Sequence, residues 1–264
     1  MADPLFDVTG RVVVVTGGLG RLGQEFTRAL SSRGARVAVL DNAERPKAEL
    51  PAGVRYVRAD VTAKGDLEKA LKAIEKEWGP PFGLINNAGL DAPPDAPADE
   101  NGAFEQYSEE TFDRVMDVNV KGAFLCSQVF GAAMATAGRG AIINISSIYG
   151  VVSPDQRIYD YRRKAGVPFV KPVAYSVSKS ALLNLTRYLA TYWAPQGVRV
   201  NTLTLAGVEA GQDPEFLRGY VARMPVGRMA RADEYNGAVV FLCSDAAAYM
   251  TGANLVVDGG WTAW

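Results

Sequence analysis

The chain has 264 residues, 48% of them hydrophobic, with 28 basic against 29 acidic residues and no histidine. So even a balance gives no polyelectrolyte footprint, and nucleic acid is not expected as a partner. Two cysteines in a chain of this length exclude a disulfide framework, and neither a membrane-span-length apolar run nor a signal-peptide core is present, so a cytoplasmic protein with no membrane partner is expected.

Residues 12–15 form an apolar β-branched run ending at Thr16-Gly-Gly, and residues 22–30 follow with helical spacing: strand, glycine turn, helix. Residues 36–40 and 54–59 read as further strands, and 66–78 as an amphipathic helix. The alternation continues through a strand at 82–85, a long helical stretch at 109–136 and a strand at 141–145. After these come a helix at 173–193, a strand at 199–203, a helix after Ala232 and a last strand at 254–257. Near-continuous apolar strands separated by helices predict an α/β single-domain Rossmann fold over residues 1–264, a doubly wound parallel sheet of about seven strands with helices on both faces. Two inserts break the rhythm. Residues 91–106, with three prolines and five acidic residues, are too polar for a strand or helix. Residues 153–172 carry Arg157, Arg162, Arg163, Lys164 and Lys171, and a loop of that length is usually a lid or a disordered tip.

Tyr175-Ser-Val-Ser-Lys179 sets a phenol and an ammonium four residues apart on one helical face. A nearby cation favours the phenolate, pulling a group of reference pKa about 10 toward neutrality. Tyr175 is therefore a candidate general acid/base in a chain without histidine, although an exposed helix face explains most such pairs. Its surroundings raise the motif above that reading. Thr16-Gly-Gly-Leu-Gly-Arg-Leu-Gly23 lies where a dinucleotide fold places its phosphate turn, and the glycines admit a pyrophosphate to the backbone at a helix N-terminus. Asp41, at the end of the second strand, is placed to accept both adenosine ribose hydroxyls and to repel the extra phosphate of NADP. NAD is the expected cofactor, and NADP, through Arg21 or Arg36, the alternative.

Taken in order with Asp60-Val61, Asn86-Asn-Ala-Gly89, Val118-Asn-Val-Lys-Gly122, Ile145-Ser-Ser-Ile-Tyr-Gly150 and the tail Met250–Gly260, these segments resemble the short-chain dehydrogenases/reductases over most of the chain. The resemblance implies a catalytic set of Asn119, Ser147, Tyr175 and Lys179. Tyr175 exchanges the proton, Ser147 orients the substrate oxygen, Lys179 holds the nicotinamide ribose and acidifies the phenol, and Asn119 anchors a water. Ser146 is the alternative hydroxyl, and Asn119 has the plainer reading of a cap at a helix irregularity. It also implies cofactor contacts at Thr16, Gly17, Gly18, Gly20, Arg21, Leu22, Gly23, Asp41, Asp60, Val61, Asn87, Ala88, Gly89, Tyr175, Lys179 and Val208, with a substrate loop near 207–225. Two departures stand out. Arg21 occupies the place of the family's middle glycine, and Asn201-Thr-Leu-Thr-Leu-Ala-Gly207 lacks the usual proline, with no threonine soon after Val208 to grip the carboxamide.

The basic insert carries Tyr159 and Tyr161, and reads either as an arginine site for phosphate or carboxylate or as a solvated or subunit-contact loop. A weaker resemblance, to bacterial sugar-related members of the flagellin-modification and gluconate 5-dehydrogenase kind, points to a secondary alcohol and its ketone on a sugar, sugar acid or polyol. Alternatives are 3-oxoacyl-thioester reduction and a catalytically silent nucleotide-binding scaffold. Asp91, Asp95, Asp99 and Glu100 read as a solvated loop, with no metal expected. The stretches 109–136 and 173–193 are expected to carry apolar stripes that pair copies into a homotetramer or homodimer, as the family commonly does.

Overall fold

The computed structural model describes residues 3–44, 46, 49–91, 98–167 and 169–264, the side chains of Ala98 and Asp99 excepted. Its seven strands are β1 (Val12–Thr16), β2 (Arg36–Asp41), β3 (Val54–Arg58), β4 (Gly83–Asn86), β5 (Gly140–Ser147), β6 (Val198–Leu205) and β7 (Asn254–Val257). All pair in parallel, in the order β3-β2-β1-β4-β5-β6-β7. Parallel neighbours require crossovers. The helices α1 (Arg21–Ser31), α2 (Lys64–Trp78), α3 (109–136), α4 (Val173–Trp193), α5 (Pro214–Val221) and α6 (Asn236–Leu242) lie in those connections.

Successive strand residues point to opposite faces, and both faces are covered. Val12 and Val14 pack with Leu67, Ile74, Phe130 and Trp193 from α2, α3 and α4. Val13 and Val15 pack with Phe26, Leu30, Val239 and Leu242 from α1 and α6. One polar row crosses the sheet. Asn86, Asn144 and Thr202 are register partners on β4, β5 and β6. Asn86 Nδ2 donates to Asn144 Oδ1 at 2.8 Å, Asn144 Nδ2 donates to Thr186 Oγ1 at 2.8 Å, and the Thr186 and Thr202 hydroxyls lie 2.7 Å apart. A one-residue slip of any of these strands strands an amide or hydroxyl in hydrocarbon, so the row fixes register.

Each predicted strand is present to within two residues at either end, and α4 has the predicted limits. The 109–136 helix is interrupted by two π turns, Asp117–Lys121 and Ser127–Gly131. The first carries Asn119; the second seats Gly131 under Trp193, where a Cβ would lie 2.4 Å from the indole. Three stretches hold more structure than the sequence predicts. Residues 92–97 lie outside the described residues, but Ala98–Asn101 is a helical turn and Phe104–Gln106 a 3-10 turn. The 153–172 insert forms a 3-10 turn, Gln156–Tyr159, and a short helix, Asp160–Lys164. The 207–225 loop contains α5. Ile158, Tyr159 and Phe169 from the insert pack with Tyr149, Tyr220 and Trp261 in a third apolar cluster. Its members are too scattered in sequence for periodicity in any one window to reveal them.

Gly131→Val is expected to destabilise the fold by roughly 1–3 kcal/mol through overpacking against Trp193. Urea unfolding with an unchanged slope and a lower midpoint checks this; an unchanged midpoint would show that the indole moves freely.

Candidate active site

The glycine turn is fastened to the end of β4 by Thr16. Its hydroxyl donates to the Ile85 carbonyl at 3.3 Å and accepts the N–H groups of Asn87 and Ala88, both at 3.1 Å. Asn87 Nδ2 returns bonds to the carbonyls of Thr16 and Gly17 at 3.0 and 3.1 Å. Gly17 has φ +59°, and a Cβ there would lie 2.8 Å from Ala88 Cα; a Cβ on Gly23 would come within 2.4 Å of the Gly17 carbonyl. Gly20 starts α1 without a side-chain cap, which leaves first-turn N–H groups for a ligand. Arg21, in place of a glycine, is accommodated because its side chain runs outward to the Glu209 carbonyl at 3.1 Å.

Asp41 ends β2 with Oδ2 accepting the Leu19 N–H at 3.1 Å and Oδ1 the Ala43 N–H at 3.2 Å, so the carboxylate is held at the edge of the turn. Arg36 begins the same strand, roughly 16 Å away along it, which removes it from any 2′-phosphate position. Asp60 is exposed and occupied with Thr62, and Val61 is buried against Gly122; both lie beyond the main cleft.

The helix α4 starts directly after Pro172, and its first turn sets Tyr175 in the same cleft as Ser147. Ser147 ends β5 and also accepts the Tyr149 N–H at 3.2 Å. Ser146 is committed elsewhere, donating to the Lys179 carbonyl at 2.8 Å. Lys179 Nζ donates to the Ile145 carbonyl at 2.9 Å and stands 5.7 Å from the Tyr175 ring centre. Asn119 accepts the Leu90 N–H at 2.6 Å and donates to the Leu90 carbonyl and to Ser178 Oγ, both at 2.9 Å. Ser178 in turn donates to the Tyr175 carbonyl at 2.7 Å. The amide of Asn119 therefore caps the chain after β4 and ties α3 to the helix bearing Tyr175.

Burial pushes the Tyr175 phenol well above its ordinary value, the Asp91 carboxylate adds to the rise, and the neighbouring Ser147 hydroxyl opposes it. This reverses the sequence expectation of an acidified phenol. Burial also lowers Lys179 to about 8, against the pull of Asp91, so desolvation is the largest influence on both side chains.

These groups face a cleft of about 1000 Å³ at the carboxyl ends of the strands, where the strand order reverses. Leu22, Asn87, Gly89 and Val208 line it beside Ser147, Tyr175 and Lys179; Asn119 lies behind Gly89. The insert supplies a wall through Tyr159, Arg162, Phe169 and Lys171. Not all its arginines serve an anion: Arg157 pairs with Asp155, and Arg163 turns to the carbonyls of Phe169 and Gln156 at 2.8 Å each. Sequence reasoning missed Gln212, which donates to the Val208 carbonyl at 2.8 Å and accepts the Ala210 N–H at 2.7 Å. It missed Tyr220 too, whose hydroxyl accepts the Gly207 N–H at 2.8 Å. Four-residue spacing of Phe216 and Tyr220 was the available sign. Of the acidic residues near 91–106, Asp95 and the Asp99 side chain lie outside the described residues, Asp91 pairs with Lys171 and Glu100 with Arg114. Among the described residues no group of three or more Cys, Asp or Glu is gathered as a metal site would need, and no helix is long and apolar enough to cross a membrane.

A phosphate turn joined to a tyrosine, serine and lysine in one crevice defines a dinucleotide-dependent oxidoreductase. The family described as enoyl-(acyl carrier protein) reductase matches residues 21–262. The NAD-dependent glycerol dehydrogenase of Listeria innocua is 34% identical over 98% of this chain and 97% of its own. The D-threitol dehydrogenase of Mycolicibacterium smegmatis is 36% identical over 97% and 95%. A crystal structure of a short-chain dehydrogenase from Leptospira borgpetersenii with bound NAD+ superposes with a TM-score of 0.87 at 33% identity, covering 99% of this chain and 96% of that one. The chain belongs to the short-chain dehydrogenase/reductase family.

Because the folded Lys179 value, about 8, lies below the ordinary 10.5, the cost of keeping it charged is fully present below pH 8 and fades as pH rises toward 10.5. Lys179→Met is expected to stabilise the fold by roughly 1–3 kcal/mol at pH 7 and by less at pH 10. Urea titrations at the two pH values read this difference; a variant weaker at pH 7 would mean that the bond to Ile145 outweighs burial.

Proposed function

We propose that the protein is an NAD-dependent dehydrogenase that interconverts a secondary alcohol and a ketone on a polyol or sugar-type substrate. The observation that carries this reading is the gathering of Ser147, Tyr175 and, one turn on, Lys179 in the cleft beside the glycine turn. Thr16, Gly17, Gly18, Gly20, Leu22 and Gly23 would hold the pyrophosphate, Asp41 the adenosine ribose, Asp60 and Val61 the adenine, and Asn87, Ala88, Gly89 and Val208 the nicotinamide side. When bound, NAD supplies the acceptor for the hydride that leaves the carbinol carbon.

The residues of the chain manage the proton. Ser147 orients the substrate oxygen, and Tyr175 takes its proton during oxidation or returns it during reduction. Lys179 offsets the phenolate charge as it forms and positions the ribose, while Asn119 steadies both helices. A phenol raised by burial is protonated at neutral pH, which suits ketone reduction; oxidation is expected to quicken as pH rises into the alkaline range.

The glycerol and threitol dehydrogenases among the relatives support a polyol substrate, and the bound NAD+ of the Leptospira structure supports the cofactor. The fixed Asp41 carboxylate, with Arg36 far from it, supports NAD over NADP. The match to the enoyl-(acyl carrier protein) reductase family favours a thioester substrate instead. Against it, Arg157 and Arg163, two of the insert's cations, are already engaged within the insert. Exposed Phe124 on α3 and the stacked, exposed Tyr188 and Tyr192 on α4 support pairing of copies into a homodimer or homotetramer. Two buried free thiols accord with a reducing, cytoplasmic setting.

Reduced-cofactor absorbance across a panel of polyols, sugar acids and an acetoacetyl thioester tests the reading. Tyr175→Phe is expected to keep NADH binding and lose about 10²–10⁴-fold in kcat; normal turnover would remove the tyrosine from the mechanism. Asp41→Asn is expected to narrow the NAD-over-NADP preference by about tenfold in kcat/KM, and an unmoved ratio would assign discrimination to another group.

A further inference from the structure

One ion pair in the cleft neither gives nor takes the transferred proton. Lys171, at the end of the basic insert, reaches Asp91, two residues past Gly89, with Nζ 2.5 Å from Oδ2. The lysine side chain is only 10% exposed and the aspartate 42%. Gln156 clamps the Lys171 backbone from both sides, its Oε1 accepting the N–H at 2.8 Å and its Nε2 donating to the carbonyl at 3.3 Å. The ammonium lies 4.8 Å from the Tyr175 ring centre and 6.0 Å from that of Tyr149. Asp91 and Lys171 both line the cleft with Tyr175 and Ser147.

Burying a lysine against a partly covered carboxylate costs desolvation that a surface pair avoids. Here it places bonding capacity against the Tyr175 ring, inside the cleft. An ammonium has three donors and a carboxylate about four acceptor sites, and among the described residues the pair consumes one of each. A hydroxyl, which accepts and donates at once, matches what remains. The pair is neutral as a unit, so it recognises such a group without demanding a charge on the substrate. Arg162 offers the contrasting chemistry: it lines the cleft, lies over the Phe169 ring at 4.8 Å and makes no ion pair among the described residues, as an anchor for an anion would. It stacks on Phe169, whereas Lys171 lies over the Tyr175 ring.

We propose that Asp91 and Lys171 form the subsite for the second hydroxyl of a vicinal diol, one carbon from the carbinol that is oxidised. The substrate class is then vicinal diols within polyols, and the inference rests on the dehydrogenase reading above. Lys171 donates to the neighbouring hydroxyl oxygen, and Asp91 accepts its proton side. The reacting oxygen is thereby presented to Ser147 and Tyr175.

Three substrates matched at three carbons test it: propan-2-ol, propane-1,2-diol and lactate, each oxidised at the central carbon with NAD. The wild type is expected to favour the diol over propan-2-ol by about tenfold or more in kcat/KM. Lys171→Met and Asp91→Asn are each expected to bring that ratio close to one, with the diol losing more than the simple alcohol, mainly in KM. NADH binding by fluorescence verifies that the variants are folded. Equal use of diol and propan-2-ol by the wild type, or a ratio that survives both substitutions, would overturn the subsite. A preference for lactate over the diol would overturn it in favour of Arg162 as an anion anchor. Failure of the dehydrogenase reading is seen separately, as absence of turnover across the whole polyol panel.

Discussion

The hydroxyl of Thr16 is the joint on which the site depends. Three hydrogen bonds converge on it, and Asn87 returns two more, so the last residue of β1 and the first residues beyond β4 are one rigid piece. That joint lies where the strand order reverses, between β1 and β4, so it sets the floor of the crevice. Gly17 and Gly23 allow backbone segments to touch around it at separations no side chain permits. On the neighbouring strands the Asn86–Asn144–Thr202 row locks register, which delivers Ser147 and the loop after β6 to matching heights.

Electrostatically the centre is a compromise between stability and chemistry. Two ionisable side chains that a fold would rather keep in water, Lys179 and Tyr175, are enclosed, and enclosure shifts both toward their neutral forms. Asp91 is the nearest carboxylate acting on each, holding the lysine charged and the phenol protonated. Substituting that residue therefore touches proton affinity as well as substrate contact. Sites that carry a reaction commonly retain such locally unfavourable groups.

Much of this was legible in the sequence because it is local. The glycine turn, Asp41 at a strand end and the four-residue step from Tyr175 to Lys179 are short patterns whose geometry follows from the element that carries them. What stayed hidden depends on distant parts meeting. Asp91 and Lys171 are 80 residues apart, and neither has a flanking pattern that indicates the other. Gly131, in the second π turn of α3, and Gly122, just after the first, pack against Trp193 and Val61, contacts that an apolar period does not encode. Within 207–225, α5 was read as loop since its buried face is one tyrosine, Tyr220, whose partners come from the insert and the C-terminal tail. The sign of the Tyr175 shift was misjudged for a similar reason: spacing reveals a neighbouring charge, whereas desolvation is a property of the finished fold.

The reach of Arg21 to the Glu209 carbonyl joins the first turn of α1 to the segment after β6, the two rims between which Leu22 and Val208 face the cleft. The spacing of those rims is thereby tied to a side chain that touches no reacting atom.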